Sequence, residues 1–203
     1  MTTVSQTTPH VEAAASTGTR TAVTAAGLIG AIASAGYISG VIFMSDMTVT
    51  EAQGAPVTVV ECLLAGLAYV VLAVSLPGLA GATRLPRWAL SVAAAGCALI
   101  AIQAWSYGSV VADLAHRMSA ADFEAVGADP SFLLQLLYVP MGVLCLVGFG
   151  ALAVVGWRRR AMSRGACVLL ALAGLAALLG PFPPVGLLAG LALVWTARSA
   201  RSA

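Results

Sequence analysis

Six apolar runs separated by short polar intervals dominate the sequence, near residues 21–45, 57–81, 88–112, 132–156, 165–180 and 183–197. Each of the first four is long enough, as a helix rising about 1.5 Å per residue, to cross the roughly 30 Å hydrocarbon core of a bilayer. The last two are shorter and are divided by Pro181-Phe182-Pro183-Pro184. They read as a tight spanning hairpin, with a re-entrant pair as the alternative. Bilayers thin around a short span, and neighbouring helices help to cover it. The predicted fold is therefore all-α, a polytopic integral membrane helical bundle with six transmembrane helices.

The flanks follow from the same pattern. Residues 1–20 are rich in Thr, Ser and Ala and lack an apolar period, so they read as a disordered tail. Residues 21–198 form one membrane domain, and 199–203 a second short tail. Ala33-Ser34-Ala35 resembles a signal-peptide cleavage site, but a polar tail precedes the run and apolar residues continue past it. The first run is therefore read as a span.

Charge then orients the bundle. All ten basic residues are arginines. Arg20, Arg84, Arg87, Arg158, Arg159, Arg160, Arg164, Arg198 and Arg201 fall on one side of six crossing helices, and only Arg117 on the other. Basic loops stay in the cytoplasm, so both termini are expected to be cytoplasmic. Trp88, Trp157 and Trp195 sit beside these arginines, as an inner aromatic belt would. Asp46 and Glu51 fall in the first outer loop, and Asp113, Asp122, Glu124 and Asp129 in or beside the second, 113–131. Ser119 followed by Asp122 predicts a capped short helix ending at Gly127.

Composition agrees with a lipid solvent. The chain is 60% hydrophobic and 9% charged, against about 25% charged in a soluble domain. Its net charge of +2 is too small for a nucleic-acid partner. The all-arginine, alanine-rich composition is of the kind associated with GC-rich bacterial genomes, so the expected location is a bacterial inner membrane. Cys62, Cys97, Cys145 and Cys167 lie in apolar runs without metal-type spacing and read as small core residues.

The polar residues inside the runs share one depth. Tyr37, Glu61, Gln103, Tyr107, Gln135 and Tyr138 all project to the outer half of the bilayer. Each belongs to a stripe of small and polar residues at three-and-four spacing: Gly27-Gly30-Ser34-Tyr37, Thr58-Glu61-Ala65-Ala68, Gly96-Ile100-Gln103-Tyr107 and Gln135-Tyr138-Gly142-Cys145. Small residues mark helix contacts in membranes, and polar groups there bond across helices. The four stripes are expected to face one another around a polar chamber at the outer mouth.

Glu61 is the one carboxylate well inside an apolar run, and no basic residue lies in any run to pair with it. It can reach headgroups, bond to Tyr37, Gln103 or Tyr138, or take up a proton, as a proton-coupled carrier requires. Pro140 would free a backbone carbonyl near the same chamber. Asp113 and His116 share a helical face, but two ligands do not make a metal site. The Gly36/Gly40 and Gly186/Gly190 pairs permit close helix contacts, within the bundle or between copies.

HExxH, Walker A, GxSxG and CxxC signatures are absent, so no catalytic residue, metal or cofactor is assigned. Two functions fit. One is a small-molecule or ion carrier with an outward-facing chamber. The other is a non-catalytic accessory or scaffold subunit that binds a membrane-protein partner, or a second copy, through its small-residue faces.

Overall fold

The computed structural model describes residues 9–43, 47–128, 132–179 and 183–199, with side chains on the first helix from Thr17 to Gly40 and on the seventh from Tyr138. The described residues are mostly helical, and none of them forms a strand. In order the helices are α1 (Pro9–Phe43), α2 (Val49–Gly54), α3 (Pro56–Ser75), α4 (Arg87–Ser106), α5 (Ala112–Arg117), α6 (Ala120–Ala128), α7 (Phe132–Arg158), α8 (Arg164–Ala176) and α9 (Pro184–Ser199). A 3₁₀ turn, Leu76–Gly81, extends α3, and a π-helical turn, Tyr107–Val111, joins α4 to α5 without a break.

Four helical stretches are long and apolar enough to cross a membrane: Thr17–Gly40, Pro56–Gly81, Arg87–Arg117 and Tyr138–Arg158. α8 and α9 are apolar but short, at 13 and 16 residues. The chain is thus a helical membrane-protein bundle. Large apolar side chains turn outward from its helices, among them Ile32, Val74, Val139 and Leu175, as a lipid solvent requires.

The helical pattern starts earlier than the sequence reading placed it. Residues 9–20, read as part of a disordered tail, form the first turns of α1. Pro9 suits the first helical position, and Ala13–Ala14–Ala15 has the highest helix propensity available. The backbone continues the helix there although the sequence carries no apolar period. Residues 1–8 and 200–203 lie outside the described residues, as does Asp46.

The long helices form a ring. α1 packs on α3, α3 on α4, α4 on α7, α7 on α8 and α8 on α9, and α9 returns to α1. The four stripes therefore do not simply face one another, as a four-helix chamber would have them. Gly27 meets α9, where an added methyl would stand 2.9 Å from the Gly190 carbonyl oxygen, and Gly142 meets α8, 3.0 Å from that of Ala177. The small residues that mark the stripes serve ring neighbours on both sides, and the sequence pattern alone did not distinguish the two.

Tyr69 fills much of the centre. It is fully buried, its ring lies against Gly30 of α1, its hydroxyl lies at Gly186 of α9, and it belongs to one apolar cluster with Cys97 of α4 and Cys145 of α7. One large side chain among alanines and glycines lets backbones approach closely without leaving a void. A close approach of this kind is α4 against α7, where Gly148 sits on the backbone of Ala93.

The arginine-bearing connections meet at one end. Arg20 donates to the Ala82 carbonyl (2.9 Å), Arg159 donates to that of Arg84 (3.2 Å), and the Arg164 guanidinium stands 5.4 Å from the Trp157 ring centre. Arg117 lies at the opposite end, paired with Asp113 at 2.9 Å.

Candidate functional site

The opposite end carries a cavity of about 450 Å³. Three local features build it. The first is α2, a short helix begun by a reciprocal cap: the Glu51 amide donates to the Thr48 hydroxyl (3.2 Å), and the Thr48 amide donates to the Glu51 carboxylate (2.8 Å). That cap carries Gln53 over the bundle, where its side-chain nitrogen donates to the Tyr37 hydroxyl at 2.7 Å. Because Glu51 accepts from Thr48, chiefly its backbone N–H, its carboxyl is held below the ordinary carboxylate range.

The second feature is the π turn. A π turn inside a helix rotates the residues beyond it relative to those before, and such turns recur at functional sites. Here it lets Gln103, Ser106, Tyr107, Val110, Val111 and Leu114 all line one cavity. Gly108 allows the turn to press onto α3, where an added methyl would stand 3.0 Å from the Cys62 β-carbon. One turn before it, the Trp105 indole lies on Gly66 and donates to the Leu63 carbonyl at 3.3 Å. The third feature is α6, capped by Ser119, whose hydroxyl donates to Asp122 (2.6 Å) and accepts from the Asp122 amide (3.2 Å). It runs one residue past Gly127 and contributes Phe123 and Val126 to the wall.

Four polar side chains at the chamber form two hydrogen-bonded pairs, and two carboxamide oxygens are left over. Tyr37 pairs with Gln53, and the Tyr107 and Tyr138 hydroxyls stand 3.3 Å apart. Gln103 is 4% exposed, and its carboxamide oxygen has no partner among the described residues. The Gln53 carboxamide oxygen is likewise buried without one. Among the described residues no charged side chain lines the cavity.

The structure therefore gathers Tyr37, Gln103, Tyr107 and Tyr138 into one neighbourhood, with Gln103, Tyr107 and Tyr138 in the wall itself. Gln135 belongs to the backbone of α7, and its side chain lies outside the described residues. Glu61 is not in the wall. Its carboxylate lies against Gly36 in the seam between α1 and α3, half-buried. Its neighbour Cys62 holds the inward position instead, since consecutive residues on a helix point about 100° apart.

Pro140 is exposed on α7. Asp113 turns to Arg117, and His116 turns away to the Ala112 carbonyl (2.7 Å) and Gly54. The wall residues that sequence reasoning missed are Val49, Gln53, Ser106, Val110, Val111, Leu114, Phe123, Val126 and Gly127. Thr48-x-x-Glu51 was a legible signal for α2. Nothing marked the π turn.

The assembly is that of a helical membrane protein with a neutral, largely apolar chamber at the end away from its arginines. Comparison of the chain with family models, with curated proteins and with solved structures found no match.

Proposed function

We propose that this protein is a six-span inner-membrane protein, both termini cytoplasmic, that binds a small uncharged amphipathic molecule at its outer mouth, as the loading step of a carrier. The observation that carries the reading is the pair Gln53 and Gln103. Each lines the cavity and carries a buried carboxamide oxygen without a partner among the described residues, and the other described wall residues are apolar apart from Ser106, Tyr107 and Tyr138. Leaving such groups unmet costs about 1–3 kcal/mol each, so a ligand that meets them binds with that advantage. The remaining wall favours apolar surface.

Neutrality of the ligand follows from the wall. An ion among the described wall residues, none of them charged, would lose hydration without compensation. Glu61, the group on which an ion or proton carrier would rest, stands in a different seam. The accessory-subunit reading relied on small-residue faces. Gly186 and Gly190 are occupied by Ser34 and Gly27 of the same chain.

Six spans are supported by α8 and α9 lying in the ring, α8 along α7 and α9 along α1. At about 1.5 Å per residue they reach roughly 20–24 Å, which a thinned bilayer accommodates. The inward orientation is supported by the arginine end. A reporter fused after Arg198 that is active only outside the cell would overturn it.

The binding reading is tested in purified protein by thermal shift against a panel of neutral amphiphiles bearing hydroxyl or amide groups. Stabilisation should be saturable, lost in Gln103→Leu and retained in Glu61→Gln. A panel member that is cationic, binds best and depends on Glu61 but not on Gln103 would sink it.

A further inference from the structure

The arginine end holds a second candidate site, independent of the outer chamber. Two clefts of about 440 Å³ each flank Arg198, one at the junction of α1 and α9 and the other along α9. One is walled by Arg20 with Thr21 and Thr24 of α1. The other is walled by Trp195 and Ser199 of α9. No acidic side chain lines either cleft among the described residues.

Arg20 is pre-positioned. One terminal nitrogen is fixed to the Ala82 carbonyl at 2.9 Å, and its Nε is buried without a partner among the described residues. A guanidinium held by one arm, with another donor unmet, is suited to an oxyanion. Arg198 stands at the α9 C-terminus, its side chain exposed, on the other side of the same cleft. The walls become apolar toward the middle of the bundle, through Leu28 on α1 and through Leu191 and Val194 on α9. Trp195 is about half exposed beside them, a placement typical of the interfacial level of a bilayer.

We infer that this junction binds the phosphate of an anionic phospholipid, with the headgroup between Arg20 and Arg198 and an acyl chain along Leu28 or Leu191. Free phosphate shares the charge chemistry but has no use for the apolar walls. The lipid also explains how a joint between a long helix and a short one is sealed at its polar end.

The test uses the whole protein in zwitterionic nanodiscs, titrated with phosphatidylglycerol and read by native mass spectrometry and thermal shift. Wild type should retain phosphatidylglycerol over phosphatidylcholine. Arg198→Gln should weaken that retention about five- to tenfold, in line with the contribution of one arginine near an anionic surface. Arg84→Gln removes an exposed arginine at the same end outside both clefts, and should leave retention unchanged. Arg198→Gln leaves the Arg20–Ala82 link in place, so its circular dichroism and unligated melting point should match wild type.

Equal loss in Arg84→Gln would reduce the effect to general surface charge and overturn the site. Equal retention of phosphatidylcholine, or no loss in Arg198→Gln, would overturn it too. Millimolar inorganic phosphate that reproduces the whole shift would replace the lipid assignment by a free-anion site.

Discussion

Tyr107 and Tyr138 meet hydroxyl to hydroxyl, 3.3 Å apart, and so tie the π turn to α7 across the chamber. Tyr107→Phe removes one member of that pair and leaves the ring in place. The expected cost is about 1 kcal/mol, the net worth of one hydrogen bond, measured as a lower melting temperature in detergent. Tyr138→Phe should cost a similar amount, and the double variant less than the sum, because both delete the same bond.

Two glycines of α7 should respond oppositely to alanine. At Gly148 an added methyl would stand 2.6 Å from the Ala93 backbone, which cannot turn aside. Gly148→Ala should destabilise by about 1–3 kcal/mol as α4 and α7 are forced apart. At Gly150 nothing lies within 4 Å. There alanine should stabilise by about 0.5–1 kcal/mol through the smaller backbone entropy of the unfolded chain. Thermal unfolding of the two variants side by side settles the sign.

α7 ends with Arg160 at φ 51°, in the left-handed region. The Ala161 amide bonds to the Gly156 carbonyl (3.0 Å) and the Arg160 amide to that of Trp157 (3.2 Å), the paired pattern of a helix end that usually carries glycine. Arg160→Gly should therefore stabilise by about 1 kcal/mol, and Arg160→Val should destabilise, both by thermal unfolding.

The cap of α2 should carry a pH dependence. Glu51's folded pKa lies below its unfolded value because the charged form accepts from Thr48. The stabilisation is therefore complete above the unfolded pKa, near about 4.3, and is lost as pH falls through the lower folded value. Amide exchange at Glu51 and Ala52 should accelerate in that acid window. In Glu51→Gln, which keeps an acceptor but cannot titrate there, the acceleration should vanish.

The ring's main spans were legible because lipid imposes one simple demand, a helix of sufficient apolar length. The second span expected at 57–81 is matched by α3 and its 3₁₀ extension, Pro56–Gly81. The depth rule likewise placed Gln103, Tyr107 and Tyr138 together, since polar groups in a bilayer seek one another. It failed for Glu61 because depth leaves the angle around the helix open: Cys62, next in sequence, took the inward position. Gln53 was missed for a different reason. It stands outside the spans, and only the cap of a six-residue helix carries it over the bundle.

The contact between Gly27 and Gly190 has a consequence for how the molecule is made. A methyl on Gly190 would stand 2.5 Å from the Gly27 carbonyl oxygen, so the two backbones are matched to each other and to little else. The ribosome makes α1 before all the helices that complete the ring and α9 after them. Throughout synthesis of the intervening helices, the groove on α1 has no occupant of its own. Lipid or the insertion machinery must shield it until α9 arrives. This contact of the ring can close only once α9 has been made.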